Sequence, residues 1–165
     1  MTSRAVRRSK PVIAAAVAAI AVAALGALAT DLGPWYQGLR KPAWMPPDWL
    51  FGPAWTLIFG SAALSGIIAW NSTADASRRR RLLVLFAVNG VLNVLWSAFF
   101  FRVQRPDWAL IEVAFLWLSI LLLILYLATW SRQSAWLLAP YLLWVTFAAA
   151  LTAAVARLNA PFAGR

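Results

Sequence analysis

An all-α integral membrane protein, a five-transmembrane-helix bundle, is the fold class this sequence predicts. Three observations carry that reading. Five apolar runs are each long enough to cross a bilayer. The 165 residues are 63% hydrophobic and only 12% charged, where a soluble domain carries about 25% charge. Finally, the lysines and arginines sit at the ends of the apolar runs rather than within them. A strand barrel would show alternating segments of about ten residues. These runs are instead continuous and rich in Ala and Leu.

The elements follow in chain order. Residues 1–10 form a basic N-terminal segment with Arg4, Arg7, Arg8 and Lys10. The five-helix membrane domain spans 11–158. Helix one is expected over 11–30, where Pro11 suits a first turn. Ala27-Leu28-Ala29 faintly resembles a cleavage site. The run is long for a signal peptide and no water-soluble domain follows, so it is read as a retained helix. Gly33-Pro34 stops it, and 31–51 is a long loop rich in Pro, Trp and Gly. Helix two covers 52–70, with Pro53 in its first turn. Helix three covers 81–101, preceded by the basic run Arg78–Arg81. Helix four covers 108–130 and helix five 135–158, with Pro140 inside it as a source of a kink. Residues 159–165 are a short tail.

Charge sets the expected orientation. The N-terminal side holds Arg4, Arg7, Arg8, Lys10, Arg78, Arg79, Arg80, Arg81 and Arg132; the other holds Arg40, Lys41, Arg102, Arg105, Arg157 and Arg165. This balance favours a cytoplasmic N-terminus. The net charge of +10 forms no stripe on a soluble face, so it does not suggest nucleic acid. Membrane lipids are its expected partners. Cysteine and histidine are absent, which excludes disulfides, Cys/His zinc sites, thiol nucleophiles and His-centred triads. No catalytic and no metal-binding residues are assigned, and no cofactor is required. A haem iron would lack its usual His or Cys ligand here.

Eleven tryptophans exceed what an interfacial belt for five helices needs. The surplus suggests an aromatic-lined cavity. Trp35, Trp44, Trp49 and Trp55 cluster in and just after the loop. Trp44 lies between Lys41-Pro42 and Pro46-Pro47, where backbone freedom is restricted, and reads either as part of a stiff lid with an aromatic underside or as simple loop packing. Asn89 and Asn93 share one helical face, which Trp96 continues. Two amides near mid-membrane seek partners inside the bundle, either other helices or a ligand. Tyr141, Trp144 and Ala148 form a bulky-to-small stripe suited to a core or a cavity wall. Arg40 and Lys41 could meet either a ligand's acid groups or phospholipid headgroups. Glu112, about one turn into helix four, is expected to face the bundle or to pair with Arg102 or Arg105. Gly90, Ser97 and Ala98 offer a small-residue region for dimerisation.

The loop WYQGLRKPAWMPPDWLFGPAWT (35–56), NGVLNVLWSAFF (89–100) and PYLLWVTFAAALTAAVARLN (140–159) together resemble the tryptophan-rich sensory protein family, the bacterial relatives of the translocator protein (the peripheral benzodiazepine receptor). The resemblance runs from about Trp35 to Asn159, with helix one similar mainly in character. The loop pattern matches at Trp35, Tyr36, Leu39, Lys41, Pro42, Trp44, Pro46 and Pro47. Helix two matches at Phe51, Gly52, Pro53, Trp55 and Thr56. Helix three matches at Asn93, Trp96, Phe99 and Phe100, and helix five at Pro140, Tyr141, Trp144, Val145, Phe147 and Ala148. Departures are Phe59 for a family tyrosine, Asn89 for a glutamine, Thr152 for an asparagine, and Ala153 for the tyrosine of animal members.

The resemblance implies a membrane receptor or sensor that binds porphyrin or related flat hydrophobic ligands between its helices, beneath the first long loop. The implied ligand is a porphyrin or haem-like tetrapyrrole. The ligand-binding set is then Trp35, Tyr36, Trp44, Trp49, Trp55, Asn89, Asn93, Trp96, Tyr141, Trp144, Phe147 and Ala148. A homodimer in a bacterial cell membrane, inner or outer, is also implied. Two alternatives stay open: a photo-oxidative porphyrin-degrading enzyme, and a porphyrin or lipophile transporter.

Overall fold

The computed structural model describes residues 2–162. Met1, the side chains of 1–10 with their expected basic cluster, and 163–165 of the tail lie outside the described residues. Five helical stretches are long and apolar enough to cross a membrane: Pro11–Ala29, Asp48–Asn71, Ala76–Arg102, Pro106–Ala128 and Arg132–Asn159. Among the described residues there is no strand. The protein is an integral membrane bundle.

Helix α1 (Thr2–Ala29) leads through the loop, which holds a short helix α2 (Pro34–Gln37) and a 3-10 turn (Asp48–Leu50), into α3 (Phe51–Asn71). Helix α4 (Ala76–Ser97) starts a turn earlier than the expected 81. The cause is Asp75, whose carboxylate accepts from the Ser77 N–H at 2.8 Å and the Arg78 N–H at 3.4 Å, an N-cap that draws the arginines into the helix. Residues Ala98–Arg102 continue α4 as a wide π turn, seen in the bond from Val103 N–H to Ala98 O at 2.9 Å. Helix α5 (Pro106–Ala128) begins on Pro106, whose missing N–H costs nothing in a first turn.

The last span is not one helix. Helix α6 (Arg132–Leu137) and helix α7 (Ala139–Asn159) are separated at Leu138. Pro140, the second residue of α7, has no N–H to offer the Trp136 carbonyl and restricts Ala139 before it. The interruption therefore falls ahead of the proline, and the kink expected within 135–158 is a break. Ser65 of α3 holds α6 in place through a bond to Ser134 O at 2.8 Å.

Helix α5 is the hub, packing on α7, α4 and α6, whereas α1 packs on α3 and α4. Helix α3 meets α7 and α4 only narrowly. The spans thus close a ring in the order α1, α3, α7, α5, α4. The tightest part lies along α5, where Leu116, Ile120, Leu123 and Leu127 meet Leu138, Tyr141 and Val145. Apolar burial does not drive helix association in lipid, so close packing and interhelical hydrogen bonds hold this contact. Gly90 is used within the chain: a Cβ there would stand 2.9 Å from Val22 Cγ2 of α1. Ser97 is buried, with its hydroxyl 3.9 Å from where a Cβ on Gly26 would sit. Gly90 and Ser97, small residues that the sequence offers for close approach, face α1 within the chain.

Candidate ligand-binding cavity

Between α1, α3, α4, α7 and the loop lies a cavity of about 960 Å³. Helix α1 contributes small residues, Ala16, Ala19, Ala23, Gly26 and Ala27. Helix α3 contributes Trp55, Phe59 and Gly60; α4 and its π turn contribute Asn93, Trp96, Ser97, Phe100 and Phe101; α7 contributes Trp144, Ala148, Leu151 and Thr152. The loop covers one end with Tyr36, Leu39, Lys41, Met45, Asp48 and Trp49. Small residues on one side and aromatic rings opposite leave a wide, mostly apolar space.

The rings brace one another. Trp55 stacks on Phe59 at 5.3 Å between centroids and meets Trp144 edge-on at 6.5 Å. Phe51 closes on Trp144 at 5.8 Å, and Trp96 stacks on Phe100 at 5.7 Å. Among the described residues the buried indole N–H groups of Trp96 and Trp144 have no hydrogen-bond partner. Buried polar groups are normally paired, and these two lie within the packed wall rather than at its cavity surface.

A buried polar chain supports the same wall from behind. Asn93 donates to the Tyr141 hydroxyl at 3.1 Å, which donates to Asn89 Oδ1 at 3.2 Å. Asn89 donates to the Ser119 hydroxyl at 2.8 Å, and Ser119 donates to Leu116 O at 2.7 Å. This chain ties α4, α7 and α5 together. It fixes Asn93 at the cavity surface, whereas Asn89 and Tyr141 stay one layer back.

The loop end carries the charge. Tyr36 donates to Asp48 Oδ1 at 2.7 Å. Lys41 Nζ lies 3.9 Å from Asp48 Oδ2 and 3.7 Å from the centre of the Tyr36 ring. Burial, then the hydrogen bond to Asp48, then its negative charge push the Tyr36 phenol above its ordinary pKa. Asn159 clasps the loop by accepting from the Arg40 N–H at 2.8 Å and donating to Arg40 O at 2.9 Å. That residue reads as tail in the sequence, yet it closes α7 onto the loop.

Of the ligand set expected from sequence, Tyr36, Trp49, Trp55, Asn93, Trp96, Trp144 and Ala148 meet at the cavity. Five do not reach its lining. Trp35 packs edge-on against Phe100 at 6.1 Å. Trp44 is 52% exposed and touches Phe147 edge-on at 5.8 Å, so the lid's underside is Met45 and Tyr36 rather than Trp44. Phe147 itself packs on Trp144 at 5.4 Å. Asn89 and Tyr141 belong to the supporting chain. Residues not singled out include Met45, Asp48 and the alanine face of α1. The spacing of Ala16, Ala19, Ala23 and Ala27 was the available signal for that face.

Glu112 is buried, so it faces the bundle. The pairing with Arg102 or Arg105 does not occur: Arg102 lies 4.0 Å from Asp31, and Arg105 bonds Asp107 at 2.5 Å. Both Glu112 oxygens are without a partner among the described residues. No cluster of three or more His, Cys, Asp or Glu residues is found among the described residues.

The TspO/MBR family pattern matches residues 13–158. The chain belongs to the TspO/MBR family. It is 37% identical over 150 residues to a tryptophan-rich protein TspO of Archaeoglobus fulgidus, covering 90% of this chain and 96% of that one. A tryptophan-rich sensory protein of Cereibacter sphaeroides is 34% identical over 146 residues, covering 84% and 88%. The human translocator protein is 30% identical over 135 residues, covering 76% and 75%. Family departures have clear settings here. Phe59 stacks on Trp55 in the cavity wall, Asn89 reaches Ser119, and the Thr152 hydroxyl turns back to Ala148 O at 2.8 Å.

Proposed function

We propose that this TspO/MBR-family protein is a membrane receptor or sensor that binds a flat, hydrophobic ligand of the porphyrin type between α1, α3, α4 and α7. The observation that supports this most is the cavity wall of Trp55, Trp96 and Trp144, with Asn93 in the same lining. Its volume of about 960 Å³ lies at the upper end of the range for small-molecule sites, roughly 300–1,000 Å³. Rigid rings give large contact area at low entropy cost. The titratable lining groups Tyr36, Lys41 and Asp48 are tied to one another at the loop, which favours binding over turnover. The chain has no His or Cys, so the macrocycle is gripped by its faces and edges.

A fluorescence-quenching titration of the protein in lipid nanodiscs with a free-base porphyrin tests this. Trp144→Phe, Trp55→Phe and Asn93→Ala each weaken binding by about 5- to 30-fold, the effect of about 1–2 kcal/mol. Trp44→Phe and Trp35→Phe leave affinity within about twofold. Absence of saturable binding, or equal affinity across the cavity variants, rejects the reading.

A further inference from the structure

We propose that Lys41 is an anchor for a carboxylate on the ligand, and that the cavity thereby selects flat apolar molecules with an acid group at one edge. This rests on the binding reading above and specifies the ligand class. Lys41 and Asp48 are the charged residues of the cavity lining, and both stand at the loop end. The membrane-spanning walls offer rings, methyl groups, a few hydroxyls and one amide. A bound molecule therefore meets full charge at one end only.

The two charges are not equally engaged. Asp48 is already held by the short bond from Tyr36 at 2.7 Å. Lys41 Nζ sits 3.9 Å from the other Asp48 oxygen, beyond hydrogen-bond length, and over the Tyr36 ring at 3.7 Å. An ammonium has three N–H donors, and among the described residues none of them makes a hydrogen bond. A ligand carboxylate can take Lys41 without dismantling the Tyr36–Asp48 bond. The loop stays latched while its cation changes partner.

The backbone around Lys41 is fixed, which gives the anchor a defined position. Asn159 clasps Arg40 on one side, and Pro42 restricts the other. The neighbouring cation is not equivalent: Arg40 borders a separate surface pocket with Trp35 and Gly38. In a partly sheltered site a charge-assisted bond is stronger than an open surface pair. With the acid at Lys41, the apolar body extends toward Trp55, Trp96 and Trp144.

The test compares free-base protoporphyrin with its dimethyl ester, using the full chain in nanodiscs and quenching titrations. Wild type binds the acid about tenfold more tightly than the ester, the difference expected for one charged hydrogen bond. Lys41→Met removes that preference by weakening the acid alone, and Lys41→Arg keeps most of it. Asp48→Asn preserves an acceptor for Tyr36 and removes the competing negative charge, so it tightens acid binding and leaves the ester unchanged. A merely structural latch predicts the reverse: both variants would weaken both ligands together. Equal loss of acid and ester in Lys41→Met, or equal affinities in wild type, overturns the anchor while the binding reading stands. No saturable binding of either porphyrin brings down both.

Discussion

Helices α1 and α5 are both long apolar spans, yet they do opposite work. On α5, Ala109, Ile120, Leu123 and Leu127 are wholly buried, and buried residues recur at every turn. Along residues 11–29 of α1 only Ala29 is buried, while Val17 and Ile20 are 60% and 67% exposed. Helix α5 is linked to α4 by Asn89–Ser119 and to α7 by Trp117–Thr146, both at 2.8 Å. Among the described residues, the polar ties of helix α1 to its neighbours lie near its end, where Arg102 reaches Leu28 O and the following Asp31. Apolarity puts both into the membrane, but it does not decide which side becomes solid. Side-chain size and the placement of amides and hydroxyls decide that. Large residues and a polar chain fill the α5 side, whereas alanines on α1 leave room opposite the tryptophans.

The sharpest way to break this contrast is to cut into each side equally. Leu123→Ala is expected to cost about 3 kcal/mol, within the range for fully buried leucines. Val17→Ala stays within about 0.5 kcal/mol. Reversible denaturation in mixed micelles checks both, and similar costs would erase the distinction. Next in size is Tyr141→Phe, which strands Asn93 and Asn89 and costs about 1–2 kcal/mol. Its double-mutant cycle with Asn93→Ala should show non-additivity, because the two residues share a bond.

A smaller effect probes the seam between the two sides. Gly90→Ala forces its new methyl against the stiff side chain of Val22 and costs about 1 kcal/mol by overpacking. Val22→Ala in the same chain restores the thermal midpoint. The smallest effect concerns the loop. Since the Tyr36 phenol has a raised pKa in the fold, its contribution is present at neutral pH. It fades as the pH climbs past the ordinary tyrosine value of about 10. Subtracting the Tyr36→Phe titration from wild type by ultraviolet absorbance should reveal one phenol ionising only above that value.

Much of the architecture was legible because membrane insertion depends on composition over about twenty residues, which the five runs display. The break at Leu138 was less legible. Hydropathy continues unchanged through Trp136, Leu137 and Leu138, and Pro140 marks a disturbance without saying on which side it falls. The π turn had no signal, since Ala98 to Phe101 suit an ordinary helix as well. At the cavity, residues on regular helices could be placed by periodicity, as with Asn93, Trp96 and Trp144. The loop tryptophans could not, because irregular backbone decides where Trp35 and Trp44 point. Even on a helix the distinction between Asn93 and Asn89 depended on which neighbour supplied a hydroxyl. The pairing of Asp48 with Tyr36 joins residues twelve apart across an irregular stretch, beyond any periodic pattern.

The Asn159 clasp carries a consequence for biosynthesis. A ribosome makes the loop early and Asn159 more than a hundred residues later, yet two bonds join them. The roof over the chamber is therefore fastened only once the final span has been translated and seated. A nascent chain halted after α5 has most of its hydrocarbon-crossing mass but neither the Trp144 wall nor the fastener for its roof.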